Sequence, residues 1–217
     1  SIDYVFTDPP YGDAVPYFEQ SVMWNSWLNL KPDYENEIVI SDSKERDKDI
    51  KNFEKEINLA FSEIRRVLKP KKYFSLTYHS LSGAEWKAIT NACIKNGFEL
   101  KSYEWLVQKS FTPRQINRHK TVKGDVLVTL QKILNLKPTV NKTDKEITDL
   151  FKEQIELWLL EEEALATNEI FLRIMKKVFS DKIVIGNVDL LKILTENFAF
   201  TEQKQWVLND QLKLQTA

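Results

Sequence analysis

The stretch Ile2-Asp3-Tyr4-Val5-Phe6-Thr7-Asp8-Pro9-Pro10-Tyr11-Gly12 decides how this chain is read. Ile2 to Thr7 is mostly β-branched or aromatic, which spells a strand. Two successive prolines cannot continue a central ladder, so the strand stops before Pro9. Structure starting at residue 2, behind Ser1 rather than a Met, leads us to expect an excised piece of a longer chain. Residues 13–30 are rich in aromatics (Tyr17, Phe18, Trp24, Trp27), and Val22 to Leu30 fits a short helix or two. Residues 31–50 are polar and read as a loop.

Further along, Phe53, Ile57, Phe61, Ile64 and Leu68 recur at helical spacing, predicting an amphipathic helix over 52–69 that Lys69-Pro70-Lys71-Lys72 ends. Tyr73 to Tyr78 reads as a strand. Ser82 and Glu85 form a capping-box pair opening a helix to about Asn96, with Gly97 as its C-cap. Phe98–Gln108 and Asp125–Gln131 read as strands joined by the basic segment 109–124. Alternating strands and helices argue an α/β layer with a largely parallel sheet. Beyond residue 132 the character changes. Thr143 with Glu146, Thr167 and Asn187 open three helices, and 198–208, with Phe200 and Trp206, suggests a short hairpin. We therefore expect one region over 1–135 and a helical region over 136–217, winged-helix-like in outline.

Composition narrows the function classes. The 217 residues carry a net charge of −1, which excludes a uniformly basic nucleic-acid binder. The neutral total hides a division: −7 over 1–61, +9 over 62–132 and −3 over 133–217. The basic middle segment is able to face phosphates. No apolar run approaches the ~18 residues of a membrane-spanning helix. The single cysteine, Cys93, excludes a disulfide framework and a cysteine-rich zinc site. It reads as buried and inert, and the expected compartment is reducing cytoplasm.

The chemistry sits at the end of the first strand. A parallel sheet binds ligands outside the carboxyl ends of its strands, which is where Asp8 is delivered. The two prolines stiffen the turn, remove two N–H donors and leave backbone carbonyls as acceptors. A carboxylate, a carbonyl and the Tyr11 ring together suit an exocyclic amine on a planar base. Asp8 and the Pro9 carbonyl accept its two N–H groups, and Tyr11 stacks on the ring.

At these residues the chain resembles S-adenosylmethionine-dependent amino-methyltransferases of DNA, in which Asp8-Pro9-Pro10-Tyr11 is the catalytic motif. Arg66-Val67-Leu68-Lys69-Pro70, Tyr78-His79-Ser80, Glu85-Trp86 and Asn96-Gly97-Phe98 extend the resemblance to about residue 132. It implies the C-terminal half of a Rossmann-like methyltransferase sheet, methyl transfer to a flipped base and a restriction-modification setting. The Asp form of the motif is typical of adenine-N6 enzymes. Cytosine-N4 or RNA amino-methylation is the runner-up, and a non-catalytic DNA- or partner-binding module is the rival class. Tyr17, Phe18 and Trp24 are candidates to line the base pocket. Lys109, Arg114, Gln115, Arg118, Lys120 and Lys123 are candidates for DNA contact. His79 and His119 are weaker candidates, and no metal site is expected.

The resemblance also implies a glycine-rich cofactor turn, which this chain lacks. Gly12, Gly83, Gly97, Gly124 and Gly186 are isolated. The expectation is therefore a fragment, inactive alone. Asp8 would face only the methyl side of the cofactor, and the partners would be DNA, the missing N-terminal half and a second copy of the chain.

Overall fold

The computed structural model describes residues 2–13, 15, 17–44, 46–78, 84–106, 125–136 and 138–210. Strands β1 (Ile2–Thr7), β2 (Leu68–Tyr78), β3 (Phe98–Leu106) and β4 (Asp125–Lys132) form one sheet in the order β1-β2-β4-β3. The β1–β2 pair is parallel, and β4 runs antiparallel to both of its neighbours. The expected largely parallel sheet is thus a mixed one. Three strands point one way, but the last to be made lies between the second and the third. Residue alternation cannot foresee such an insertion, because it records neither partner nor direction.

Register assigns the two faces. Val5, Phe74, Leu130 and Leu100 lie in one row, and Leu76, Val128 and Tyr103 in another. This face is covered. The helix α2 (Ile50–Val67) buries Phe53, Ile57 and Phe61, and Phe61 meets Phe74 edge-on at 5.2 Å between ring centroids. The helix α3 (Ala84–Lys95) adds Ile89, Ala92 and Cys93 to the same core. On the opposite face, Tyr4 and Phe6 are 54% and 57% exposed, and Tyr73 is exposed beside them. Ser75 and Thr129 pair there through their hydroxyls at 3.0 Å. Among the described residues this region has one more helix, α1 (Tyr17–Trp27), which buries none of its residues.

Local signals explain the ends. Asp49 caps α2: its carboxylate accepts from the Lys51 and Asn52 N–H groups, and the Asn52 side-chain oxygen accepts in turn from the Asp49 N–H. β2 begins directly at Leu68, so Lys69 to Lys72 extend a strand rather than end a helix. Gly97 follows α3 at φ +62°, the left-handed conformation expected of its C-cap. A Cβ there would meet Leu136 and the Arg65 guanidinium. Arg65 explains the crowding, because it donates to the Asn96, Gly97 and Ile133 carbonyls at 2.9–3.0 Å.

The described residues beyond β4 form three helices and five short strands, the last two of them a hairpin. The helix α4 (Asp144–Glu162) opens with the predicted Thr143–Glu146 capping box. The helix α5 (Thr167–Asp181) has Ala166 at its N-cap, one residue before the expected Thr167. The helix α6 (Leu190–Asn197) is capped by Asp189 rather than Asn187, whose N–H is taken instead by Asp144 at 3.0 Å. Strands β6 (Leu165–Ala166), β9 (Gln205–Val207) and β8 (Ala199–Phe200) form a small sheet in that order, with Phe200 opposite Trp206. Strands β5 (Val140–Asn141) and β7 (Ile183–Val184) pair in parallel. One apolar core runs through both regions. Met175 and Phe179 of α5 share a small cavity with Leu76, Tyr78 and Val128. The Asn91 side chain of α3 grips the Ile185 backbone N–H and carbonyl at 2.8 and 2.7 Å.

Candidate active site

Asp8 stands one residue beyond β1, at its carboxyl end, with an exposed side chain. Pro9 behind it is buried, so the turn is anchored by its first proline while the carboxylate faces out. Two hydroxyls meet the same carboxylate oxygen, Oδ1. Thr77 donates from the end of β2 at 2.8 Å, and Tyr11 donates a short hydrogen bond from within the turn. Burial comes first, then the hydrogen bond to Asp8 and the charges of Asp8 and Asp125, in pushing the Tyr11 hydroxyl well above the ordinary phenol range. Tyr11 therefore stays protonated and a donor at neutral pH.

The turn closes at Gly12. Its φ of +63° suits glycine, and a Cβ there would strike the buried Glu85 side chain of α3. The Gly12 carbonyl accepts from the Ile40 N–H at 3.2 Å, which ties the motif to the 31–49 loop. Tyr17, the first residue of α1, joins the site. Partial burial raises its hydroxyl pKa, a hydrogen bond with the Tyr11 backbone opposes that, and the Asp8 charge adds to the rise. Asp125, at the start of β4, contributes a second carboxylate to the same end of the sheet.

The aromatic helix is held by charge more than by packing. Glu37 accepts from the Phe18 N–H at 3.3 Å. Arg46 bridges Glu37 and Glu19 at 2.5 and 2.6 Å, with Arg46 and Glu37 side chains only 6% and 5% exposed. The Arg46 guanidinium also lies 4.6 Å from the Tyr34 ring centre, and Tyr34 meets Phe18 edge-on. Glu19 and Glu37 raise the Arg46 pKa, so it is always a cation. Lys48 donates to the Glu37 carbonyl and to Glu56 of α2, which anchors the bracket to the core. Trp24 and Trp27 pack on each other and stay exposed.

The structure thus brings together Asp8, Pro9, Pro10, Tyr11 and Tyr17, and adds Thr77 and Asp125, which the sequence reading missed. A parallel register for β1 and β2 would have found Thr77, because Thr7 opposite Leu76 puts Asp8 beside it. Candidates His79, Lys109, Arg114, Gln115, Arg118, His119, Lys120 and Lys123 lie outside the described residues. Cys93 is buried, and burial pushes its thiol far above the range of a reactive thiolate. Among the described residues no helix is long and apolar enough to cross a membrane.

The chain matches no protein-family model and no curated protein. Among solved structures it is similar to a protein of Thermus thermophilus, provisionally described as a DNA modification methylase. The match covers 68% of this chain and 52% of that one, at 14% identity and a TM-score of 0.35. The selenomethionine derivative gives 14% identity and 0.34, covering 68% and 51%. This chain spans about half the length of those structures.

Proposed function

We propose that this chain carries the amine-orienting part of a DNA adenine-N6 methyltransferase. The observation that carries the reading is the Asp8 carboxylate, fixed through Oδ1 by Thr77 and Tyr11 at the end of β1. A planar base placed there offers one amine N–H to Asp8 and the other to the Pro9 carbonyl. Both N–H groups then lie in the plane of the base and the nitrogen lone pair lies across it, open to an electrophile. No deprotonation need precede attack, because the proton leaves the methylated amine afterwards. The choice of adenine rests on the Asp form of the motif, and the use of S-adenosylmethionine on the same resemblance.

The sequence lacks the glycine-rich turn that the resemblance implies for that cofactor. The five glycines are isolated, and Asp8 at the end of β1 is the residue that the resemblance turns toward the methyl group. The cofactor-holding segment is therefore a partner. It fits the open edge of β1 and the exposed face marked by Tyr4, Phe6 and Tyr73, because an open edge and a bare apolar face invite a strand and its covering helices. The basic segment 109–124 is the proposed contact to DNA phosphates.

Two measurements test this. The chain alone, given S-adenosylmethionine and duplex DNA, forms no methylated base. Activity there would show that it builds a cofactor pocket by another route. Joined to the cofactor segment it forms N6-methyladenine, and Asp8→Ala abolishes the product. Product formation that survives Asp8→Ala, or methylated cytosine in place of adenine, refutes the reading.

A further inference from the structure

Tyr11 and Thr77 both donate to Asp8, but they differ in what they are attached to. Tyr11 lies three residues away in the same turn, so its hydrogen bond moves with the turn. Thr77 belongs to the neighbouring strand, 69 residues away in sequence, and its bond ties the turn to the rigid sheet. Two donors from different elements on one oxygen restrain the carboxylate torsion. Both fall on Oδ1, and no hydrogen bond from the described residues reaches Oδ2. The β-branched side chain suits the task, because threonine inside a strand has few χ1 choices and holds its hydroxyl still.

We propose that Thr77 is a positioning residue, whose hydroxyl locks the Asp8 carboxylate so that Oδ2 is presented to the target amine. The proposal deepens the amine-orienting reading above and rests on it. Thr77 touches neither base nor methyl donor. It acts through Asp8, as a supporting shell keeps a reacting group within a fraction of an ångström of its productive place. The Ser75–Thr129 pair one row back has the same hydroxyl chemistry but is satisfied within itself. Thr77 is the member of that β2 face whose hydroxyl is spent on the motif.

The test uses Thr77→Val, which keeps the shape and removes the donor, and Thr77→Ser, which restores it. In the chain joined to the cofactor segment, Thr77→Val lowers kcat about 10–100-fold with little change in the KM for DNA. Thr77→Ser recovers most of the rate. A second readout needs no activity: the Tyr11 hydroxyl proton, held on Asp8 and identified by its loss in Tyr11→Phe, is followed by NMR in this chain. Thr77→Val frees the carboxylate to swing away and speeds exchange of that proton at least about tenfold, whereas Thr77→Ser leaves it slow. A Thr77→Val protein with an unmoved Tyr11 proton overturns the proposal whatever its rate, and so does an equal loss in Thr77→Ser. If the joined wild-type protein methylates no amine, the functional reading fails. The proton exchange still decides whether Thr77 holds Asp8.

Discussion

The helices α1 and α2 flank the same motif but are held by opposite means. α2 presses Phe53, Ile57 and Phe61 into the core, with Phe61 only 2% exposed. α1 buries nothing, leaves Trp27 70% exposed, and hangs on the Glu37–Arg46–Glu19 bracket. Apolar burial is non-directional and cooperative, so α2 stands or falls with the sheet. A charge bracket is directional and local, so α1 is able to detach while the core stays folded. The contrast puts the rigid scaffold behind Asp8 and the adjustable element beside it.

Four perturbations separate the two regimes, from the largest effect to the smallest. Phe61→Ala removes a ring from the Phe61–Phe74 contact and costs about 3–5 kcal/mol, read as a shift of the whole denaturation curve. Arg46→Ala strands the buried Glu37 carboxylate. It costs about 2–3 kcal/mol, less than a sealed pair would, because the loop is able to open and let water in. Hydrogen exchange then shows protection lost over Tyr17–Trp27 before the core. If the denaturation curve shifts as far as for Phe61→Ala, the bracket belongs to the cooperative core and the contrast fails.

Acid should reproduce that local release. Arg46 holds the Glu19 carboxyl below its ordinary value of 4.5. A depressed carboxylate stabilises the fold above its ordinary pKa and loses that contribution as pH falls. Protection over α1 therefore declines below about pH 4.5 ahead of the core, and Arg46→Ala abolishes the pH dependence. An α1 that keeps its protection until global acid unfolding contradicts the bracket. Trp27→Ser is the smallest change, within about 0.5 kcal/mol, since an exposed side chain has little folding energy to lose. A larger loss would mean that α1 packs on something.

The same contrast explains what could be read in advance. α2 repeats apolar residues at helical spacing because it faces a core, and its extent was legible to within two residues. β1 and the Asp8 turn were legible because β-branched residues and paired prolines act locally. The Thr143–Glu146 box is equally local, and it holds. The caps at Asp189 and Ala166 were misplaced because several neighbouring residues are able to cap, and tertiary contacts choose. Asn187 is claimed by Asp144. The bracket was illegible: Glu19, Glu37 and Arg46 are 9 to 27 residues apart, and nothing marks one helix carboxylate and two charges of a polar loop as partners. Thr77 was illegible for the same reason, since its role depends on which strand lies beside β1 and in what register. The antiparallel place of β4 likewise depends on long-range pairing.

That place has a consequence for synthesis. β3 leaves the ribosome before β4, yet β4 alone joins it to the sheet. Until residue 132 has emerged, β3 has no strand to pair with and β2 carries an open edge on the side β4 will fill. The chain must wait with exposed ladder groups, which is the condition that favours misassembly between nascent copies. Any truncation ending before Asp125 removes β4 altogether and makes that wait permanent.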